Sequence, residues 1–111
     1  PLRVVLGRAG VDARVHPALE LHGELADVLD ELGRRGVLQL LVEGGAGVAG
    51  AFHRAGLVDR YVVYLAPALL GGDNGLGLFR GPGSPTMAEA VRGRFDSVTR
   101  LGEDLRIEFV R

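Results

Sequence analysis

The chain has 111 residues, a mass of 11.7 kDa and a formal net charge of −1, enough for one domain with a real core and too little for two. With 47% hydrophobic and 24% charged residues it has the balance of an ordinary globular protein, and no field that would gather a polyanion, so nucleic acid is not an expected partner. All 13 basic residues are Arg and Cys is absent, which excludes a Schiff-base or phosphate-loop lysine, a thiol nucleophile and a disulfide.

His16, His22 and His53 stand at no metal-ligand spacing, so no metal centre is expected. No apolar run approaches the ~20 residues of a membrane span, and no basic leader precedes an apolar one, so the expectation is a cytoplasmic protein. The chain opens on Pro1 without Met and enters a strand-like run at once. It reads as a single domain, residues 1–111, lacking its N-terminal part.

Leu2 to Leu6 is short, β-branched and closed by Gly7, which predicts a strand with Arg8 just past its C-terminal end. Val11 to Gly23 reads as a connection, with an extended piece at Ala18 to Leu21. From Glu24 to Arg35, Leu25, Val28, Leu29 and Leu32 recur at helical spacing, acids crowd the first turn and Arg34-Arg35 precede Gly36. That pattern predicts a helix.

The apolar run Val37 to Val42 predicts a central strand buried on both faces and stopped by Glu43-Gly44-Gly45. Val48, Ala51, Phe52 and Ala55 give a second helical stripe ending at Gly56, and Tyr61 to Leu65 another strand. A glycine-rich connection runs from Gly71 to Pro85, and Met87 to Val91 reads as one helical turn. Phe95 to Leu101 and Asp104 to Val110 form a hairpin, with Gly102 suited to the first position of a type II′ turn and Leu105, Ile107 and Phe109 on one face. The whole predicts an α/β fold with a mixed sheet flanked by helices and a C-terminal antiparallel hairpin.

The segment Leu40 to Ala51 carries the chemistry. A strand runs into glycines that open a helix, where unpaired backbone N–H groups and partial positive charge favour a phosphate, and glycine lets it approach the main chain. Gly45 to Gly50 has the G-x-G-x-x-G spelling of a dinucleotide site. The strand that follows, Tyr61 to Ala66, lacks the acid a Rossmann domain uses to hold ribose, which leaves a Rossmann-like fold as the alternative. The glycines could also serve only close packing and a tight turn.

Leu41-Val42-Glu43-Gly44-Gly45, Gly56-Leu57-Val58-Asp59, Tyr64 to Gly71 and Leu101 to Arg106 together resemble the reductase domain of bifunctional riboflavin-biosynthesis deaminase-reductases. The resemblance implies a dihydrofolate-reductase-like fold, a homodimer, and NADPH as hydride donor. The implied reaction converts the ribosyl group of 5-amino-6-(5-phosphoribosylamino)uracil to a ribityl chain. It also implies that Gly44, Gly45, Ala46, Gly47, Val48, Ala49, Gly50 and Ala51 touch the cofactor and that Glu43 faces the substrate; a solvated Glu43 is the alternative. Dihydrofolate-reductase-like folds place a strained glycine pair beside the cofactor, so a cis Gly44–Gly45 peptide is expected.

Family members often carry an Asp-Ser pair where this chain has Gly7-Arg8. Arg8 is nevertheless suited to grip a ribose 2′-phosphate through its planar donor fork, or else is simply solvated. His53, Arg54 and Arg60 read as surface groups and Asp59 as a turn residue; no residue stands out as a proton donor. Two rival readings stay open: a reductase of another pterin-like or uracil-like compound, with a deazaflavin donor as an option, and a non-catalytic assembly module.

Overall fold

The computed structural model describes residues 1–111, which form two compact units, Pro1–Leu41 and Val42–Arg111. In the first unit, strands β1 (Val4–Leu6) and β2 (Leu19–Leu21) pair in parallel, Val4 opposite Leu19 and Leu6 opposite Leu21. A parallel pair needs a crossover, here an irregular loop in place of a helix. Helix α1 (Leu25–Arg34) follows.

The amphipathic spacing explains α1. Val28 and Leu32, one turn apart, are the buried core of this unit. Asp27 lies in the first turn and Arg34 in the last, complementing the helix dipole. The end is a Schellman cap: the Gly36 N–H donates to the Gly33 carbonyl at 2.9 Å and the Val37 N–H to Leu32 at 3.0 Å. Glu31 accepts from Arg35 at 2.6 Å and Arg34 at 3.0 Å, and these guanidinium contacts, Arg35 foremost, hold its carboxyl below the usual range.

The second unit opens with helix α2 (Ala46–Arg54), whose Phe52 is buried, and continues into strand β3 (Arg60–Leu65). Strands β4 (Arg94–Leu101) and β5 (Asp104–Val110) complete an antiparallel sheet in the order β3-β5-β4. Tyr61, Phe109 and Phe95 form one cross-strand row, and Val63, Ile107 and Val98 the next. Gly102 has φ +61° and no non-glycine residue has positive φ. Type I′ needs positive φ at both central residues and is thereby excluded, so the β4–β5 turn has the expected II′ form.

A bulge interrupts β4, where Phe95 pairs with Phe109 and Ser97 with the adjacent Glu108, leaving Asp96 as the extra residue. The inserted residue changes the alternation, so Phe95 and Val98, three apart, share the apolar face of Ile107 and Phe109. On the other face Arg60 bonds both Asp96, at 2.8 Å, and Glu108, while Arg94 bonds Asp96 at 2.8 Å and Arg106 bonds Glu108.

Several expectations are corrected. Residues 37–45 carry no regular structure, and Leu38 and Leu41 are 95% and 75% exposed, so Val37 to Val42 is not a strand. A central strand needs hydrogen-bonding neighbours on both edges, and in this chain none pairs with it. In place of one mixed sheet there are a parallel pair and an antiparallel triplet. Met87 to Val91 forms no helix; the local feature is a turn closed by the Glu89 N–H on the Thr86 carbonyl at 3.2 Å.

Candidate functional site

Gly45 caps α2 in an extended conformation, φ −67° and ψ 177°, without a side-chain cap. The first internal bond of the helix runs from the Ala49 N–H to the Gly45 carbonyl at 3.0 Å, which leaves the amides of Ala46, Gly47 and Val48 without helical acceptors. No acidic residue lies in this first turn, while His53 and Arg54 occupy the last. The terminus thus presents unsatisfied donors and a positive dipole end. Glu43, two residues before the cap, is exposed.

The glycines of this segment differ in what surrounds them. A Cβ on Gly45 or Gly47 would meet nothing within 4 Å, so the main chain there is open to approach by a bulky group. One on Gly44 would lie 2.5 Å from the Val48 Cβ, and one on Gly50 would collide with the Arg80 carbonyl oxygen. Close packing therefore accounts for Gly44 and Gly50, and the open positions are confined to Gly45 and Gly47. The cis peptide is also corrected: the chain's one cis bond is His16–Pro17, so Gly44–Gly45 is trans. An extended glycine cap continues into the helix without the roughly 3 kcal/mol a non-proline cis bond costs.

Part of the glycine-rich connection docks on α2. The Arg80 N–H donates to the Ala46 carbonyl at 2.8 Å, and Arg54 Nη1 donates to the Arg80 carbonyl at 2.7 Å. Phe79 stacks on His53 with centroids 4.5 Å apart, and His53 Nδ1 lies 2.8 Å from the Tyr61 hydroxyl. His53 is therefore half-buried and engaged, which corrects its reading as a surface group, and Arg54 is a loop anchor. Burial pushes the Tyr61 phenol up, against a smaller opposing pull from Arg111.

In the first unit, Arg8, Ala9, Val11, His16 and Glu20 line an open cavity of about 390 Å³ beside the C-terminal end of β1. The loop there is fastened by Glu20 Oε1, which accepts the Ala9 N–H at 2.9 Å. The His16 ring donates from Nε2 to the Gly10 carbonyl at 2.8 Å. Sequence reasoning singled out Arg8 and missed Glu20, whose one visible signal was a carboxylate inside an otherwise apolar extended run.

Comparison with known proteins gives these features a family. The model of the RibD C-terminal domain matches residues 3–107. The riboflavin biosynthesis protein RibD of Mycobacterium tuberculosis (strain H37Rv) is 36% identical over 124 aligned residues, covering 99% of this chain and 33% of that protein. The 2,5-diamino-6-ribosylamino-4(3H)-pyrimidinone 5′-phosphate reductase of Methanothermobacter thermautotrophicus is 35% identical over 82 residues, covering 74% of this chain and 38% of that protein. Among solved structures, Acinetobacter baumannii RibD, form 2, superposes with a TM-score of 0.86 at 25% identity, covering 99% of this chain and 37% of that one.

The chain is thus of the RibD reductase-domain class, as its motifs implied. It belongs to the RibD C-terminal domain family. It spans about a third of the length of the RibD proteins and structures it matches.

Proposed function

We propose that this chain reduces the ribosyl group of 5-amino-6-(5-phosphoribosylamino)uracil to the ribitylamino compound in riboflavin biosynthesis, with NADPH as hydride donor. Family membership supports the reaction class, and the archaeal relative is itself named as a reductase of a ribosylaminopyrimidinone phosphate. The observation that carries the cofactor part is the start of α2. There, unbonded amides and the two open glycines, Gly45 and Gly47, meet with no acid in the first turn. This arrangement suits a pyrophosphate without any lysine.

NADPH, when bound, would supply the hydride for the sugar carbon attached to nitrogen, whose bond to the ring oxygen breaks, with that oxygen taking a proton from solvent. The chain's own residues bind and orient. The amides of Ala46, Gly47 and Val48 would take the phosphate oxygens, with Ala49, Gly50 and Ala51 continuing the helix behind them. Glu43 would face the substrate. In the first unit, taken by itself, Arg8 carries the planar guanidinium fork suited to a ribose 2′-phosphate. A dihydrofolate-reductase-like fold, a homodimer and a cytoplasmic location belong to the same proposal.

A second reading keeps the reaction and changes the substrate to the 2,5-diamino pyrimidinone that names the archaeal relative. The two compounds differ at one ring position, an amino group against an oxo group. Incubating the protein with NADPH and each compound in turn, while following loss of reduced nicotinamide, separates them. Oxidation with the aminouracil alone supports the first reading; oxidation with the diamino compound alone supports the second. No turnover of either, by a folded protein that also fails to bind NADPH, leaves a non-catalytic module.

A further inference from the structure

The crossover from β1 to β2 has no helix to hold it, so its shape depends on a few hydrogen bonds. The Gly7 N–H donates to the Leu21 carbonyl at 2.9 Å, and the Ala13 N–H to Gly10 at 3.0 Å. Arg3 Nη1 reaches the carbonyls of Val15 at 3.4 Å and His16 at 3.3 Å. Between these fastenings Ala9 is held by one side chain, Glu20, through Oε1 at 2.9 Å. Glu20 is half-buried on β2, whereas Arg8 beside it is exposed. Both line the same cavity.

Glu20 therefore acts on Arg8 in two opposed ways. Its hydrogen bond to Ala9 fixes the backbone that carries Arg8. Its negative charge, in the same cavity, disfavours the doubly charged group that Arg8 is suited to grip. We infer that Glu20 is a positioning and specificity-determining residue, which holds Arg8 in place and sets how strongly the cavity prefers a 2′-phosphorylated ribose over an unphosphorylated one. This rests on the dinucleotide reading above and concerns a residue that touches the loop; no contact with the reacting atoms is involved.

The two roles separate by substitution. Glu20→Gln keeps a carbonyl oxygen able to accept the Ala9 N–H and removes the charge. Glu20→Ala removes both. Calorimetric titration of the full chain with adenosine 2′,5′-bisphosphate and with adenosine 5′-monophosphate, at low salt, reads the preference directly. Glu20→Gln is expected to bind the bisphosphate up to about fivefold more tightly, the scale of one exposed charge interaction, with the monophosphate unchanged. Glu20→Ala is expected to lose preference, toward that of Arg8→Ala, while a urea titration shows that it still folds.

A merely structural role would shift both nucleotides alike. Wild-type behaviour of both Glu20→Gln and Glu20→Ala, with a preference that still depends on Arg8, overturns the role of Glu20 and leaves the dinucleotide reading standing; wild-type behaviour of Glu20→Gln alone overturns its charge effect on specificity. A wild type that does not distinguish the two nucleotides overturns the Arg8 assignment and this inference together.

Discussion

The carbonyl oxygen of Arg80 occupies the place where a side chain on Gly50 would begin. The same Arg80 backbone donates to Ala46, one turn earlier on α2. It cannot rotate away from Gly50 without breaking that bond and the one from Arg54. Helix, glycine and docked loop are one packing unit.

The first prediction follows from that geometry. Gly50→Ala raises helix propensity by roughly 1 kcal/mol yet forces the Arg80 backbone outward, an overpacking cost of about 1–3 kcal/mol, so a net loss is expected. Gly47→Ala meets no neighbour and should gain about 0.5–1 kcal/mol. Urea unfolding of both variants gives the comparison, and equal midpoints would contradict the packing role of Gly50.

A charge at the open position tests the phosphate site. Gly47→Asp places a carboxylate in the first turn of α2, where the dipole favours it by about 0.3–1 kcal/mol, while it repels a bound pyrophosphate. The variant should unfold no more easily than the wild type and should lose NADPH binding in calorimetry. Retained binding would remove α2 from the cofactor site.

The ion cluster on β3, β4 and β5 predicts an acid limb. Arg60, with Arg94, depresses the Asp96 carboxyl; Arg106, with Arg60, depresses that of Glu108. Because the folded values lie below the unfolded ones, the stabilisation is present above the ordinary carboxylate range and is lost as pH falls through the depressed values. Arg60→Met should lower the urea midpoint at pH 7 by the modest amount an exposed ion cluster contributes and flatten its fall below about pH 4 correspondingly, the two proteins converging in acid. An unchanged acid limb would show that the cluster contributes nothing.

Tyr61 gives the opposite sign. Burial raises its phenol, so its contribution is full below the ordinary phenol range of about pH 10 and is lost as pH rises through the raised value. Tyr61→Phe removes this alkaline component and the bond to His53, at a cost of about 1 kcal/mol near neutrality. Thermal unfolding at pH 7 and pH 11 measures both parts.

Local pattern sufficed wherever an element depends on its own residues. The stripe from Leu25 to Leu32 and its caps fixed α1. The β4–β5 hairpin followed from alternation and one glycine turn, and the glycine opening of α2 was visible from Gly44-Gly45 leading into a helical apolar stripe. None of these requires a distant partner.

Tertiary structure decided what depends on neighbours far along the chain. Val37 to Val42 has the composition of a central strand, but strand formation needs hydrogen-bonding partners, and none pairs with it here. Strict alternation would put Phe95 and Ser97 on one face, and only the bulge at Asp96 sets Val98 beside Ile107 instead. The glycines of α2 look alike in sequence; a carbonyl 30 residues away makes Gly50 a packing position and leaves Gly47 open. The physical reason is common to all three: hydrophobicity and backbone freedom are local quantities, whereas pairing and steric exclusion belong to residues that only the fold brings together.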